Sequence, residues 1–464
     1  MKTLKVDHRI NLIWETGSQA DRNIGAMHSP RSSFLAWSPS WPFLLLWTAL
    51  SLSMPVLAAE EEPEAAPAGP DLQALYESRD FFTLRDQIAD TPESELQSPE
   101  DRFFAAAFEL AFNDPAASIR IAESTLETGD LPPLVSLRLH HLLVTAYLRL
   151  HRYAEALGAA RKLLSSPARL EDPAVEQEVR GTLPLLETLE DVPPQEAQIR
   201  RSSRLALGKS RRVPLRIGDK KRQFSLDTGA NFSVIMASEA EALGLTIRPA
   251  GVEVATSTGA KVLADVAVAK QMSIGKIDYT NVVFLVFPDE LLTFPDGHRI
   301  PGLIGFPVVE AMGEIRFRRD DVMEIPSRPP VRKLGNLALA GLDPLVQIRY
   351  GGEDLVCRLD TGANKTVFYE PFYQRYRERL DALGRKVTVT TGGVGGFQEI
   401  PALQLPRLAM TIAAGGTNLR DVDVYLRPIR APEENYLYCN IGLDVLHRFS
   451  AYVVNFRDMA LVLE

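Results

Sequence analysis

Two short passages of this sequence hold the residues best suited to chemistry. Asp227-Thr228-Gly229-Ala230-Asn231 recurs as Asp360-Thr361-Gly362-Ala363-Asn364. One Asp-Thr-Gly alone is a weak signal, since average residue usage yields about 0.1 per chain of this length by chance. Two copies of the whole pentapeptide, each at the same place in a longer repeated passage, are not chance. Two carboxylates held about 3 Å apart cannot both ionise, so they share one proton and their protonation behaviour separates. One can then act as a base on a water between them while the other polarises a carbonyl as an acid. That chemistry requires no metal, no nucleophilic serine and no cofactor. The seven histidines show no His-Glu-Xaa-Xaa-His spacing, and there is no Gly-Xaa-Ser-Xaa-Gly elbow. The competing reading of each passage is a plain turn in which the Asp side chain bonds its own backbone.

Positioning two such loops falls to β-structure. Pro214 to Ile217, a Gly218-Asp219 turn and Gln223 to Leu226 lead into Asp227; Pro344 to Ile348, a Gly351-Gly352 turn and Leu355 to Leu359 lead into Asp360. Val234-Ile235 and Val367-Phe368 follow, then short helices over Ser238 to Leu243 and Glu370 to Leu380, then hairpins. Farther on, Leu303-Ile304-Gly305-Phe306 matches Asn440-Ile441-Gly442-Leu443, and Glu314 to Phe317 matches Tyr452 to Phe456. Short β-branched runs punctuated by Gly, Pro and Asn mark small barrels or sandwiches, and the parallel order marks an internal duplication. The expected lobes are 213–325 and 337–464, joined by a linker over 326–336. The hairpins Val254 to Val266 and Val387 to Leu403 are candidate flaps, able to close over a bound chain and expel water. Their tips hold Thr258 and Gly259 in the first copy and Gly392, Gly393, Gly395 and Gly396 in the second. No Gly-Lys-Ser/Thr follows that glycine run, so it does not read as a phosphate loop. Cys357 and Cys439 read as buried small hydrophobes, with a disulfide between them as the alternative.

Asp-Thr-Gly-Ala after a strand, a hairpin, and a later hydrophobic-hydrophobic-Gly loop resemble the retropepsin-like aspartic proteases. Two such units in one chain resemble the bilobal pepsin arrangement in miniature, over about Leu205 to Glu464. The resemblance implies that Asp227 and Asp360 are a catalytic pair and that the chain is an aspartic endopeptidase acting on polypeptide. It further implies that Thr228 and Thr361 cross-bond the two loops, and that Gly229 and Gly362 leave room for substrate backbone. Asn440 to Asp444 keeps the family's Gly-Xaa-Asp pattern, whereas the first copy reads Gly305-Phe306-Pro307. Neither hairpin tip carries the tyrosine of pepsin flaps. The rival reading is a protease-shaped scaffold with a vestigial cleft, working through its helical part.

The 464 residues suggest about three domains at roughly 150 residues each. A net charge of −9 gives no general attraction to nucleic acid, and two cysteines cannot build a disulfide scaffold or a four-thiolate zinc site. Trp41 to Ala59 is the one long apolar stretch. Its Val56-Leu57-Ala58 end suits signal-peptide cleavage after Ala58, so 1–58 is read as a signal-peptide region, with Met27 as the better start. Export to the periplasm or outside is expected, the alternative being a membrane anchor over 41–59. Residues 59–70 read as a disordered tether. From 71 to 191 apolar residues recur at helical spacing. Ala146, Tyr147, Tyr153, Ala156, Leu157, Ala160 and Leu164 form a stripe resembling a tetratricopeptide helix pair, which would offer a surface to a protein partner; a simple helical bundle is the alternative. Residues 192–212 read as a solvated basic linker.

Overall fold

Helices begin where the sequence writes a cap followed by a proline. At Ser98-Pro99, Asp114-Pro115 and Asp172-Pro173 the capping oxygen accepts a first-turn N–H, and the proline has no N–H to leave unpaired. The computed structural model describes residues 71–88, 96, 98–208, 211–256, 261–294, 297–393, 396–428 and 436–464. The leader and tether read over 1–70 lie outside them, as do Thr258, Gly259 and Gly395. Among the described residues, seven α-helices form the N-terminal region: α1 (Leu72–Glu77), α2 (Phe81–Ile88), α3 (Pro99–Ala111), α4 (Pro115–Leu126), α5 (Pro133–Arg149), α6 (Tyr153–Ser165) and α7 (Pro173–Leu189). From α3 onward each packs on its successor, and α3 also meets α5. The expected stripe is buried except at Leu164, where Leu163 takes the inward position. None of the described helices is long and apolar enough to cross a membrane.

The span 192–212 is not a solvated linker. It contains β1 (Glu196–Ile199) and β2 (Ser203–Ala206), two edge strands whose arginines meet acids on neighbouring strands: Arg200 pairs with Asp278 and Arg204 with Glu324. Arg200 and Arg204 thus neutralise acids at sheet edges, a role that calls for no aromatic residues.

The first lobe follows with β3 (Val213–Ile217), β4 (Lys220–Leu226), β5 (Ser233–Met236), α8 (Ala237–Leu243), β6 (Ile247–Ala255), β7 (Lys261–Ile274), β8 (Ile277–Phe287), β9 (Gly302–Ile304), α9 (Phe306–Glu310), β10 (Glu314–Arg318) and β11 (Val322–Ile325). The second has β12 (Leu337–Ala340), β13 (Asp343–Tyr350), β14 (Glu353–Leu359), β15 (Val367–Phe368), α10 (Glu370–Leu383), β16 (Arg385–Gly393), β17 (Gly396–Ile412), β18 (Gly415–Tyr425), β19 (Cys439–Ile441), α11 (Leu443–Leu446), β20 (Ala451–Asn455) and β21 (Ala460–Leu463). Strand for strand the pairings repeat: β4 runs parallel to β9 and β5 antiparallel to it, as β14 and β15 do with β19. The β13–β14 turn places Gly351 and Gly352 at positive φ, which a two-residue hairpin of this hand requires.

A third sheet, ordered β2-β11-β10-β20-β21, joins the lobes. At its centre β10 pairs with its own duplicate β20, from Glu314 opposite Asn455 to Arg318 opposite Ala451. The helical region is bound to both lobes. Arg149, buried, pairs with Glu310 of α9 at 2.6 Å; Asn113 donates to the Phe456 carbonyl at 2.6 Å; and Arg85 donates to the Gly335 carbonyl at 2.5 Å.

Candidate active site

Each Asp-Thr-Gly loop leaves the end of a strand, β4 or β14, beside the parallel strand β9 or β19. The first aspartate's N–H continues that ladder, Asp227 N to Ile304 O at 2.9 Å and Asp360 N to Ile441 O at 3.0 Å. The threonines then lock the loops to each other. Thr228 N donates to Thr361 Oγ1 at 3.1 Å, Thr361 N donates to Thr228 Oγ1 at 3.0 Å, and Thr228 Oγ1 donates to the Leu359 carbonyl at 2.9 Å. All of these atoms are buried. The glycines face the opposite aspartates: a Cβ on Gly229 would lie 2.7 Å from Asp360 Cγ, and one on Gly362 would fall against the Asp227 carboxyl closer still. Only a residue without a side chain lets the loops approach this far.

That approach brings the Asp227 and Asp360 carboxyls into hydrogen-bonding contact. Asp227 is 2% exposed. Burial, and then the neighbouring Asp360 charge, push its carboxyl well above the usual range, against the smaller opposing effects of the Gly229 N–H and the Arg358 guanidinium. Arg358, two residues before Asp360, crosses to the other lobe. It donates to the Gly229 carbonyl at 2.6 Å and pairs with Asp343 at 2.5 Å. A cavity of about 310 Å³ opens at Asp227, with Thr361, Gly362, Leu303, Asp444 and His447 in its walls. Among the described residues no cluster of three His, Cys, Asp or Glu side chains is placed to hold a metal ion.

The structure thus brings together Asp227, Thr228, Gly229, Asp360, Thr361 and Gly362. In the second hairpin Gly393 pairs with Gly396, and Phe397, opposite Gly392, meets Phe294 of the first lobe edge-on at 6.0 Å. Asp444 accepts from Thr366 N and Oγ1 at 2.8 and 2.7 Å, buttressing the second loop. Nothing of that kind forms at Pro307, whose carbonyl accepts from Gln195 instead. Cys357 and Cys439 are buried, as read, but they are also bonded to each other. As register partners on β14 and β19 they sit side by side. Two residues escaped sequence reasoning: Arg358, and Asn440, whose Nδ2 donates to Asp360 Oδ2 at 2.8 Å. A signal was present for both, because the duplicate has Ser225 and Leu303 at the matching positions.

Two lobes, each presenting an Asp-Thr-Gly loop at a shared interface, define a retropepsin-like aspartic protease fold. Residues 213–308 match the family model described as aspartyl protease. That match spans the first lobe with its Asp-Thr-Gly loop and makes this part of the chain similar to the aspartyl proteases. A crystal structure of a retropepsin-like aspartic protease from Rickettsia conorii is similar at 19% identity, with a TM-score of 0.21, over 28% of this chain and 92% of that one. No curated protein matches the chain.

Proposed function

We propose that the protein is an aspartic endopeptidase whose catalytic pair is Asp227 and Asp360. The observation that carries this reading is the reciprocal threonine bonding, which holds the two carboxyls in contact with one of them buried and inclined to keep its proton. The ionised member of the pair takes a proton from water as the water oxygen bonds to the peptide carbonyl carbon, and the protonated member gives its proton to the carbonyl oxygen. Collapse of the resulting diol breaks the C–N bond. The amine leaves with the proton first taken from water, and the diol hydroxyl returns a proton to the carboxyl that supplied one. The test is cleavage of a mixture of quenched fluorescent peptides. Asp227→Asn and Asp360→Asn should each remove nearly all activity, and the double variant should be little worse, because the pair acts as a unit. Activity surviving either single change overturns the assignment.

We place this activity in an exported protein. The Cys357–Cys439 bond supports an oxidising compartment, since such bonds persist outside the reducing cytosol. Mass spectrometry of protein from its native host should find a mature chain beginning near Ala59; an intact 41–58 segment would reverse this reading. The helical region is the surface we assign to a protein partner.

A further inference from the structure

Because the lobes share one register, the residues flanking the two aspartates can be compared position by position. In the first lobe one row across the sheet reads Leu285, Val234, Leu303, Ser225. The same row in the second lobe reads Asp423, Val367, Asn440, Arg358. Three of four positions have changed character. Asn440 is the changed residue that touches the pair through its side chain. It is 3% exposed, its Nδ2 donates to Asp360 Oδ2, and its Oδ1 has no hydrogen-bond partner. A half-satisfied buried amide is costly where a leucine serves the duplicate, so its one bond needs a reason.

The donors around the two carboxyls supply that reason. Asp360 accepts three N–H groups: Gly362 N at 2.8 Å and Ala363 N at 2.9 Å on Oδ1, and Asn440 on Oδ2. The Asp227 carboxyl accepts Gly229 N alone at 2.8 Å, since Ala230 N turns to the Asp227 main-chain carbonyl. Donors to a carboxylate favour its charged form. We propose that Asn440 is a positioning residue that breaks the symmetry of the pair, holding Asp360 as the base that takes the water proton and leaving Asp227 as the protonated acid. This rests on the assignment of the pair made above.

Other charged groups face the site from several elements. Arg358 with its partner Asp343 stands on the Asp227 side and opposes the raised proton affinity there, though burial and Asp360 outweigh it. Arg211, Asp444 and His447 share the cavity with Asp227, and Asp423 with Lys365, 3.8 Å apart, lies farther along the row. None of them donates to Asp360.

Asn440→Leu gives the second lobe the residue of the first. The acid limb of kcat/KM reports ionisation of the base, so removing the Asn440 donor should displace that limb toward higher pH. Asn440→Ala, which adds no volume, must show the same displacement, whether or not the leucine variant folds well. Thermal melting runs alongside, because a purely structural role would lower the melting temperature and the rate at every pH while leaving the limb in place. An unmoved limb in Asn440→Ala overturns the inference. If instead Asp227→Asn or Asp360→Asn remains active, the pair itself has been misassigned, and the two failures are told apart.

Discussion

Thr228 does with one hydroxyl what neither lobe could do alone. Its Oγ1 accepts from Thr361 N and donates to the Leu359 carbonyl, so one buried side chain closes two bonds across the interface. Thr361 answers with its own hydroxyl, which accepts from Thr228 N at 3.1 Å and donates to Thr228 Oγ1 at 3.3 Å. Thr228→Val keeps the shape and removes the oxygen, orphaning a buried N–H and a buried carbonyl. Each such group costs about 1–3 kcal/mol. The urea midpoint of Thr228→Val should therefore fall, and activity should fall further than the lost stability accounts for, because the loops also set the distance between the carboxyls. A variant with wild-type midpoint and rate would mean that the loops are held by something other than this hydroxyl.

At the scale of elements, the duplicated lobes solve the same packing problem with different side chains. Cys357 on β14 is bonded to Cys439 on β19; the matching partners on β4 and β9 are Phe224 and Gly302, and a Cβ on Gly302 would collide with the Phe224 ring at 2.6 Å. One lobe fastens the strand bearing its aspartate covalently, and the other fills the same space with an aromatic ring over a glycine. Much of this was legible beforehand. Both aspartate loops, the strands feeding them, the short helices and the hairpin arms could be read because each signal occurs twice, and local pattern alone dictates strand, turn and strand. What escaped reading depends on contacts distant in sequence. β1 and β2 look like a charged linker until Asp278 and Glu324 are placed beside their arginines. Arg358 looks like a solvent-facing strand residue until Gly229 of the other lobe is brought to its guanidinium. Asn440 looks like one polar letter in an apolar triplet, and only the register of β19 against β14 gives it a carboxylate to hold.

For the whole molecule, the question is whether one chain makes one complete site. The pairing of β10 with β20 answers structurally: the duplicated strands meet each other around a local two-fold, with Phe317 stacked on Tyr452 at 4.8 Å. The linker is held down as well. Arg332 pairs with the buried Glu314 at 2.6 Å, and Asn455 donates to the same carboxylate at 2.8 Å, so the connection between lobes is bonded to the sheet that unites them. On the helical side Arg149, with its guanidinium spread over Glu310 and the Leu110 carbonyl, fixes the stack of helices to the first lobe, while Asn113 reaches the Phe456 carbonyl at the edge of the second. Exchange of lobes between chains would have to give up the β10–β20 pairing, the Asn455–Glu314 bond and the Asn113–Phe456 bond together before remaking them with a second copy. We therefore expect a site formed within one chain. Mixing an Asp227→Asn chain with an Asp360→Asn chain, under conditions in which wild type is active and sediments as a monomer, should restore no peptide cleavage. Recovery approaching a quarter of wild-type activity, the share expected if lobes recombine at random between chains, would show that the site is assembled between two copies, each giving its intact aspartate.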